Sequence, residues 1–258
     1  MIKAGVSGAA GRMGSAVASV IEKSNDFEIG LALEAKGSNK VGTKICGREI
    51  IDDLEKGAEN MDVFIDFTVP AATLENIKIL AEKGKPAVIG TTGLKPDEVK
   101  AIEEAAEKIP IVFASNFSVG VNVLWKVIED VTRIVKDDYD IDIVESHHRH
   151  KKDSPSGTAV TAAKVITGEK GLDYDKNVIF GRHGRENERP RGQLGVLAVR
   201  GGGVVGEHSV IFASDEDKLE IKHTAFSRET FAAGSLKAAR FVINQKPGLY
   251  KMADVLKI

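Results

Sequence analysis

Residues 2–14, IKAGVSGAAGRMG, predict how this chain folds. A short apolar run over residues 2–7 ends directly at a glycine-rich loop, residues 8–14, which opens a helical pattern. Glycines allow positive φ angles and close backbone approach to a phosphate, while the first N–H groups of the following helix point at its charge. The spacing is G-x-x-G-x-x-G rather than the usual G-x-G-x-x-G, so a plain glycine turn remains the alternative to a dinucleotide-binding loop.

Apolar strand-like runs and helical stretches alternate outward from this loop through residue 114. Strand, helix and strand at this spacing predict parallel βαβ units, and hence a Rossmann-like, doubly wound parallel sheet in an α/β fold. The predicted strands are 2–7, 28–34, 63–67, 87–90 and 111–114, and the predicted helices are 12–24, 71–83 and 96–108.

The pattern changes after about residue 115. A long helix over 119–136 precedes a strand over 139–146, where apolar residues alternate with aspartates. Three more strand-like runs, 195–200, 204–213 and 219–224, have no helix between them, which predicts an open antiparallel or mixed sheet in an α+β domain. We expect a first domain over 1–117, completed by 229–258 with its helix near 229–244, and a second over 118–228.

Three further segments fall on the rim of the predicted parallel sheet. Glu34 lies about 20 residues beyond the glycine loop, where an acid meets the adenosine ribose. Segments 90–93 (GTTG) and 114–117 (ASNF) each follow a predicted strand, and ligands bind outside the carboxyl ends of such strands. A solvent-facing glutamate and ordinary turn chemistry are the alternatives.

A basic cluster occupies residues 145–158, ESHHRHKKDSPSGT, which hold three of the six histidines. Concentrated positive charge suits a carboxylate-bearing substrate, and histidine and lysine transfer protons near neutral pH. Ser156, Gly157 and Thr158 begin a helix that offers hydroxyl and N–H donors to a carboxylate. The alternatives are a solvated basic loop and a metal site, although the adjacent lysines and arginine would repel a cation.

Composition narrows the class of protein. The chain has 258 residues, 29% of them charged, and a formal net charge of -2, which argues against bulk attraction to nucleic acid or to an anionic membrane. Cys46 is the only cysteine, so no intramolecular disulfide forms and a reducing compartment fits best. We see neither a secretory signal nor an apolar run of about 20 residues, and we expect a cytoplasmic protein with a small-molecule partner.

Four segments together resemble the dihydrodipicolinate reductase family: 8–14, 90–93, 115–122 (SNFSVGVN) and 145–158. They occur in the family's order, and the H-H-R-H-K-x-D-x-P-S-G-T string is long and specific. The resemblance implies a second domain that binds substrate and whose open sheet builds a homotetramer. It implies cofactor contacts from Gly8, Ala9, Ala10, Gly11, Arg12, Met13, Glu34, Gly90, Thr91, Thr92, Ala114, Ser115, Asn116 and Phe117.

The same resemblance assigns acid–base work to His147 and Lys151, and substrate binding to His148, Gly157 and Thr158. It implies hydride transfer from NADH or NADPH to C4 of an unsaturated cyclic dicarboxylate, with loss of water, protonation at C3 and no metal. Which of the two acid–base residues delivers the proton stays open. Family members that accept both cofactors often place an arginine after the ribose-binding acid. Ala35 occupies that position here, which favours NADH, with Lys36 or Arg12 as the substitute for NADPH.

Two other functions compete with this one. A different Rossmann-type reductase of a small carboxylate is the nearest alternative, since one fold hosts many chemistries. A nucleotide-sensing regulator is the alternative from another class. The sequence disfavours a regulator because it contains neither a helix-turn-helix segment nor a basic terminal arm.

Overall fold

The chain divides into two units in the computed structural model, which describes residues 1–185 and 188–258. The first unit comprises Met1–Val119 and Arg228–Ile258, and the second comprises Gly120–Ser227. Within those described residues, no helix combines the length and apolarity needed to cross a membrane.

The helices and strands follow one another closely along the chain, with one short 3₁₀ turn over Ala58–Asn60. In order they are β1 (Ile2–Ser7), α1 (Arg12–Glu22), β2 (Phe27–Leu33), β3 (Lys44–Ile45), β4 (Arg48–Ile51), α2 (Leu54–Gly57), β5 (Val63–Asp66), α3 (Pro70–Lys83), β6 (Ala87–Ile89), α4 (Pro96–Ala106), β7 (Pro110–Phe113), α5 (Val119–Val135), β8 (Asp140–His147), α6 (Gly157–Glu169), α7 (Tyr174–Asn177), β9 (Val178–Ile179), β10 (Leu194–Arg200), β11 (Gly206–Ala213), β12 (Lys218–Ala225), α8 (Glu229–Val242), β13 (Gly248–Tyr250) and α9 (Met252–Leu256).

The first unit is built on an eight-stranded sheet in the order β13-β7-β6-β5-β1-β2-β4-β3. Every neighbouring pair is parallel except β3 and β4, which confirms the predicted Rossmann-like sheet. The chain moves from β1 to β2 and β4, then returns to β5 on the other side of β1. This reversal beside β1 is where doubly wound sheets bind ligands.

Helices bury both faces of this sheet, which is why its strands are almost wholly apolar. On one face, Val17 of α1 and Ala239 of α8 belong to the same buried cluster as Val6 of β1. On the other face, Ile77 of α3 and Ile102 of α4 pack with Phe64 of β5. Helices α3 and α4 begin at prolines, since the first helical position does not need its N–H.

The second unit contains a five-stranded mixed sheet in the order β12-β11-β8-β10-β9. Central β8 pairs antiparallel with β11 and parallel with β10, which confirms the predicted mixed sheet. Ile141 and Ile143 of β8 pack with Leu124 of α5 and Ile166 of α6 in one buried cluster. Because strand residues alternate between faces, Glu145 and His147 lie on this same buried side, towards the carboxyl end of β8.

Candidate active site

The glycine loop joins β1 to α1 in the geometry that an anion site needs. Gly8 has a φ of 60°, and Gly11 N donates a 2.8 Å hydrogen bond to Gly8 O, which closes the turn. A Cβ at Gly14 would collide with the Gly8 carbonyl and with Ala9 Cα. Gly11 is the N-cap of α1 and supplies no side-chain cap, so the first N–H groups of the helix can face a pyrophosphate.

Glu34 follows β2 and is held against the glycine loop. Its Oε1 accepts a 2.8 Å hydrogen bond from Ala10 N, which leaves Oε2 for a hydroxyl of a ribose. Beside it lies a cleft of about 560 Å³ whose walls include Gly8, Glu34 and Thr68. This volume is that of a small-molecule site. The loop, the acid and the cleft therefore fit the adenosine half of a dinucleotide.

All the predicted cofactor residues lie at one edge of the parallel sheet. Residues 114–117 follow β7, residues 90–92 follow β6, residues 8–13 follow β1, and Glu34 follows β2. In the sheet order, β7-β6-β5-β1-β2 are consecutive. Four spacings of roughly 4.8 Å give a row about 19 Å long. The structure brings these residues into a single row along the carboxyl ends of the strands.

Some of these side chains face away from that edge. The side chains of Ala9 and Phe117 are buried, and the Phe117 ring packs edge-on against Phe67 with centroids 5.3 Å apart. The Thr91 hydroxyl is buried in a 2.7 Å hydrogen bond with Thr73. Ala9 and Phe117 can therefore offer a ligand their backbone groups alone.

A buried polar network at the end of β5 was missed by the sequence analysis. Asp66 is 1% exposed and accepts hydrogen bonds from Thr68 N and from Asn76 Nδ2, which also contacts Ser7 Oγ. Thr68 and Asn76 line the cleft. The signal was present, because 63–67 was a predicted strand and its carboxyl end had to fall between those of β1 and β6.

In the second unit, a buried carboxylate organises the basic cluster. Glu145 Oε2 lies 2.6 Å from His147 Nδ1, and Ser156 N donates to Oε1 at 2.9 Å. Arg200 donates to both oxygens, each at 2.7 Å. A carboxylate only accepts hydrogen bonds, so His147 Nδ1 carries the proton and Nε2 is the acceptor nitrogen of the neutral ring. Strand, basic loop and helix start are thus joined at Glu145.

Burial and neighbouring charges shift the pKa values of this group. Burial lowers the pKa of His147, Glu145 opposes that shift, and the positive charges of Lys151 and Arg200 reinforce it. Burial alone would raise the pKa of Glu145, but the hydrogen bonds from Arg200 and His147 outweigh it and hold the pKa below its ordinary value. At neutral pH the pair is therefore a carboxylate beside a neutral imidazole.

A second buried histidine supports the start of α6. His208 Nε2 lies 2.9 Å from Ser156 Oγ, and the rings of His208 and His147 meet edge to face with centroids 5.1 Å apart. Burial is the main cause that lowers the pKa of His208 to about 3, and the positive charge of Lys151 adds to it while Glu145 opposes it. Ser156 Oγ also caps α6 by accepting from Ala159 N, so this hydroxyl, expected to face a ligand, serves the fold instead.

The remaining predicted residues lie in the loop after β8 and at the start of α6. Lys151 Nζ forms an ion pair of 2.9 Å with Asp153 and is partly buried. His148 is half-buried, and its Nδ1 is buried with no hydrogen-bond partner in residues 1–185 and 188–258. Gly157 and Thr158 open α6. The other basic side chains of the loop, those of Arg149, His150 and Lys152, are exposed.

A metal centre was the alternative for these histidines. Over residues 1–185 and 188–258, no group of three or more histidine, cysteine, aspartate or glutamate side chains is arranged to hold a metal ion.

Comparison with known proteins places this geometry in a family. A family model described as "Dihydrodipicolinate reductase, N-terminus" matches residues 2–117, and one described as "Dihydrodipicolinate reductase, C-terminus" matches residues 120–256. The 4-hydroxy-tetrahydrodipicolinate reductase of Citrifermentans bemidjiense is 44% identical over 264 aligned positions, which cover 99% of each chain.

Solved structures share the fold. A dipicolinate-bound dihydrodipicolinate reductase from Paenisporosarcina sp. TG-14 superposes with a TM-score of 0.75 at 22% identity, covering 98% of each chain. An amine dehydrogenase from Mycobacterium smegmatis reaches a TM-score of 0.63 at 15% identity, covering 97% of this chain and 95% of that one. With both family models and a full-length relative matched, the chain belongs to the dihydrodipicolinate reductase family.

Proposed function

We propose that the chain reduces 4-hydroxy-tetrahydrodipicolinate with NAD(P)H, giving tetrahydrodipicolinate and water in lysine and diaminopimelate biosynthesis. The full-length relative carries this activity in its name. The observation that carries the proposal is the junction at Glu145, which places an acid–base histidine beside the amino end of α6. A dicarboxylate substrate needs such an anion site next to the groups that orient and protonate it.

In the reaction the 4-hydroxyl leaves as water together with a hydrogen from C3, and the resulting C3–C4 double bond takes up a hydride at C4 and a proton at C3. Bound NAD(P)H supplies the hydride. We assign the substrate carboxylates to the N–H groups of Gly157 and Thr158 and to His148, whose buried Nδ1 has no hydrogen-bond partner among the described residues. The helix start concentrates positive partial charge on such a carboxylate.

The proton at C3 is assigned to Lys151. His147 is neutral because burial lowers its pKa, and its one proton is committed to Glu145. Lys151 carries three N–H donors and one of them is held by Asp153. His147 Nε2 then serves as a hydrogen-bond acceptor that orients the donor or the ring. A general acid of this kind contributes about 10²- to 10⁴-fold in rate.

The cofactor is assigned to the first unit, with the pyrophosphate at Gly8–Met13 and the adenosine ribose at Glu34. We propose that NADH is used at least as well as NADPH. The cleft beside Glu34 is lined by five carboxylates and one ammonium, that of Lys36, which disfavours a 2′-phosphate.

We also propose that the chain works as a cytoplasmic homotetramer. The side of the five-stranded sheet away from α5 and α6 keeps apolar side chains half-buried or exposed, among them Val144, Leu197 and Val199. On β12, Lys218 and Glu220 alternate in charge along that side. A self-complementary face of this kind suits a two-fold interface. Sedimentation equilibrium gives the number of subunits directly, and a monomer would contradict the assignment.

The activity is tested with the unstable substrate generated in situ, in the assay mixture. Dihydrodipicolinate synthase acting on pyruvate and aspartate semialdehyde supplies it, and nicotinamide oxidation is followed optically with and without this protein. We expect oxidation that depends on the protein and that free dipicolinate inhibits. Oxidation at the same rate without the protein would overturn the proposed function.

A further inference from the structure

A carboxylate that the reaction itself does not use lies at the centre of the second unit. Glu145 is 0% exposed, and its four hydrogen bonds come from three different segments of the chain. We propose that Glu145 is a positioning residue that fixes the ring and the tautomer of His147 and ties His147 to the start of α6, with Arg200 keeping the carboxylate charged. The inference rests on the proposed function, in which His147 faces the substrate.

The geometry assigns a separate task to each oxygen of Glu145. Oε2 accepts from His147 Nδ1 and Oε1 accepts from Ser156 N, so the histidine and the N-cap of α6 share one rigid group. Arg200 spans both oxygens and also donates to Asp153 O at 2.7 Å, which holds the loop that carries Lys151. A displacement of Glu145 would therefore move the acid–base pair and the carboxylate site relative to each other.

A packing role alone does not account for this arrangement. Burying a charged pair rarely stabilises a fold more than apolar residues of the same size would. All four nitrogens that contact Glu145, from three residues, are donors, so a neutral glutamine would set its NH₂ against a donor on either side. The site thus requires the charge as well as the shape.

The charged surroundings of His147 predict the sign of a pH effect. His147 faces Glu145 on its own strand, Arg200 on β10, His208 on β11, and Lys151 with its partner Asp153 in the loop. Of these, Glu145 raises the pKa of His147, whereas Lys151 and Arg200 lower it. Removing the charge of Glu145 should therefore lower the pKa of His147 further.

Histidine side-chain ¹H–¹⁵N NMR tests this in the free protein without substrate or cofactor. We expect wild-type His147 as the Nδ1–H tautomer and a lower pKa for His147 in Glu145→Gln, restored towards wild type in Glu145→Asp. Glu216→Gln, in an exposed turn of the same unit, is the matched control and should leave the pKa of His147 unchanged. Steady-state kinetics of Glu145→Gln should show kcat reduced about 10²-fold, with the Kd for NADH unchanged.

Two results would overturn the inference. One is an Nε2–H tautomer of His147 in the wild type, a measurement that needs no variant to fold. The other is an unchanged pKa of His147 in a folded Glu145→Gln. Wild-type protein without reductase activity would instead contradict the proposed function, so the two failures are distinguishable.

Discussion

Removing Arg200 should destabilise the second unit, and the loss should grow with pH. Glu145 is fully buried and takes two hydrogen bonds of 2.7 Å from Arg200. Breaking a buried ion pair from one side costs about 3–5 kcal/mol. Ser156 N and His147 Nδ1 still donate to the carboxylate in the variant. The free energy of unfolding lost in Arg200→Gln should therefore lie near the lower end of this range, at about 3 kcal/mol at pH 7.

The pH dependence follows from the direction of each pKa shift. In the wild type the pKa of Glu145 is lowered, so its stabilisation is present above the unfolded pKa of about 4.3 and is lost as pH falls through the folded value. Without Arg200, burial should raise that pKa, and stability would then be lost as pH rises through it. The difference in free energy of unfolding between the wild type and Arg200→Gln should therefore be larger at pH 7 than at pH 5.

Urea unfolding of both proteins at the two pH values measures this, with the exposed Arg191→Gln as the matched control for loss of one positive charge. We expect the control to unfold like the wild type at each pH. A destabilisation by Arg200→Gln below about 1 kcal/mol, or one that is equal at pH 5 and pH 7, would refute the account of the buried carboxylate.

Three further predictions concern catalysis and cofactor binding. Lys151→Ala and His147→Ala should each reduce turnover by about 10²- to 10⁴-fold with little change in NADH affinity, and Lys152→Ala should be milder; a larger loss at Lys152 would show that the acid is misassigned. Gly14→Ala should lower the free energy of unfolding by about 1–3 kcal/mol and weaken NADH binding, because the added Cβ would collide with the Gly8 carbonyl. Calorimetry measures the NADH affinity, and an affinity equal to that of the wild type would contradict the loop geometry. kcat/KM should be at least as high for NADH as for NADPH, and Lys36→Ala should lower only the NADPH value; a strong wild-type preference for NADPH would reverse the ranking.

Much of the fold could be predicted from the sequence because its signals are local. The run from β1 through the glycine loop to α1, and the alternation in β8, depend on residues only a few positions apart. Strands β3 and β4 were missed because each is short and the two residues between them, Cys46 and Gly47, do not form a common hairpin pair. Both have positive φ angles, as a tight two-residue turn requires.

The sequence predicted only part of the candidate site, for a different reason. Residues 147–151 are contiguous, so a local motif reveals them. The groups that hold His147 in place come from distant positions along the chain. Arg200 reaches Glu145 across 55 positions of chain, through a parallel register that pairs Arg200 with His147. No local pattern reveals such a register. The sequence does show that a glutamate shares the buried face of β8 with isoleucines, which required a buried partner of opposite charge.

The central claim is that this chain transfers a hydride to a cyclic dicarboxylate and protonates the adjacent carbon. The most direct measurement uses NADH deuterated at C4 of the nicotinamide, the substrate made in place by the synthase, and NMR of the product. The account predicts one deuterium at C4 of tetrahydrodipicolinate and, when the reaction is run in D₂O instead, solvent deuterium at C3. A product without cofactor deuterium at C4 would contradict it.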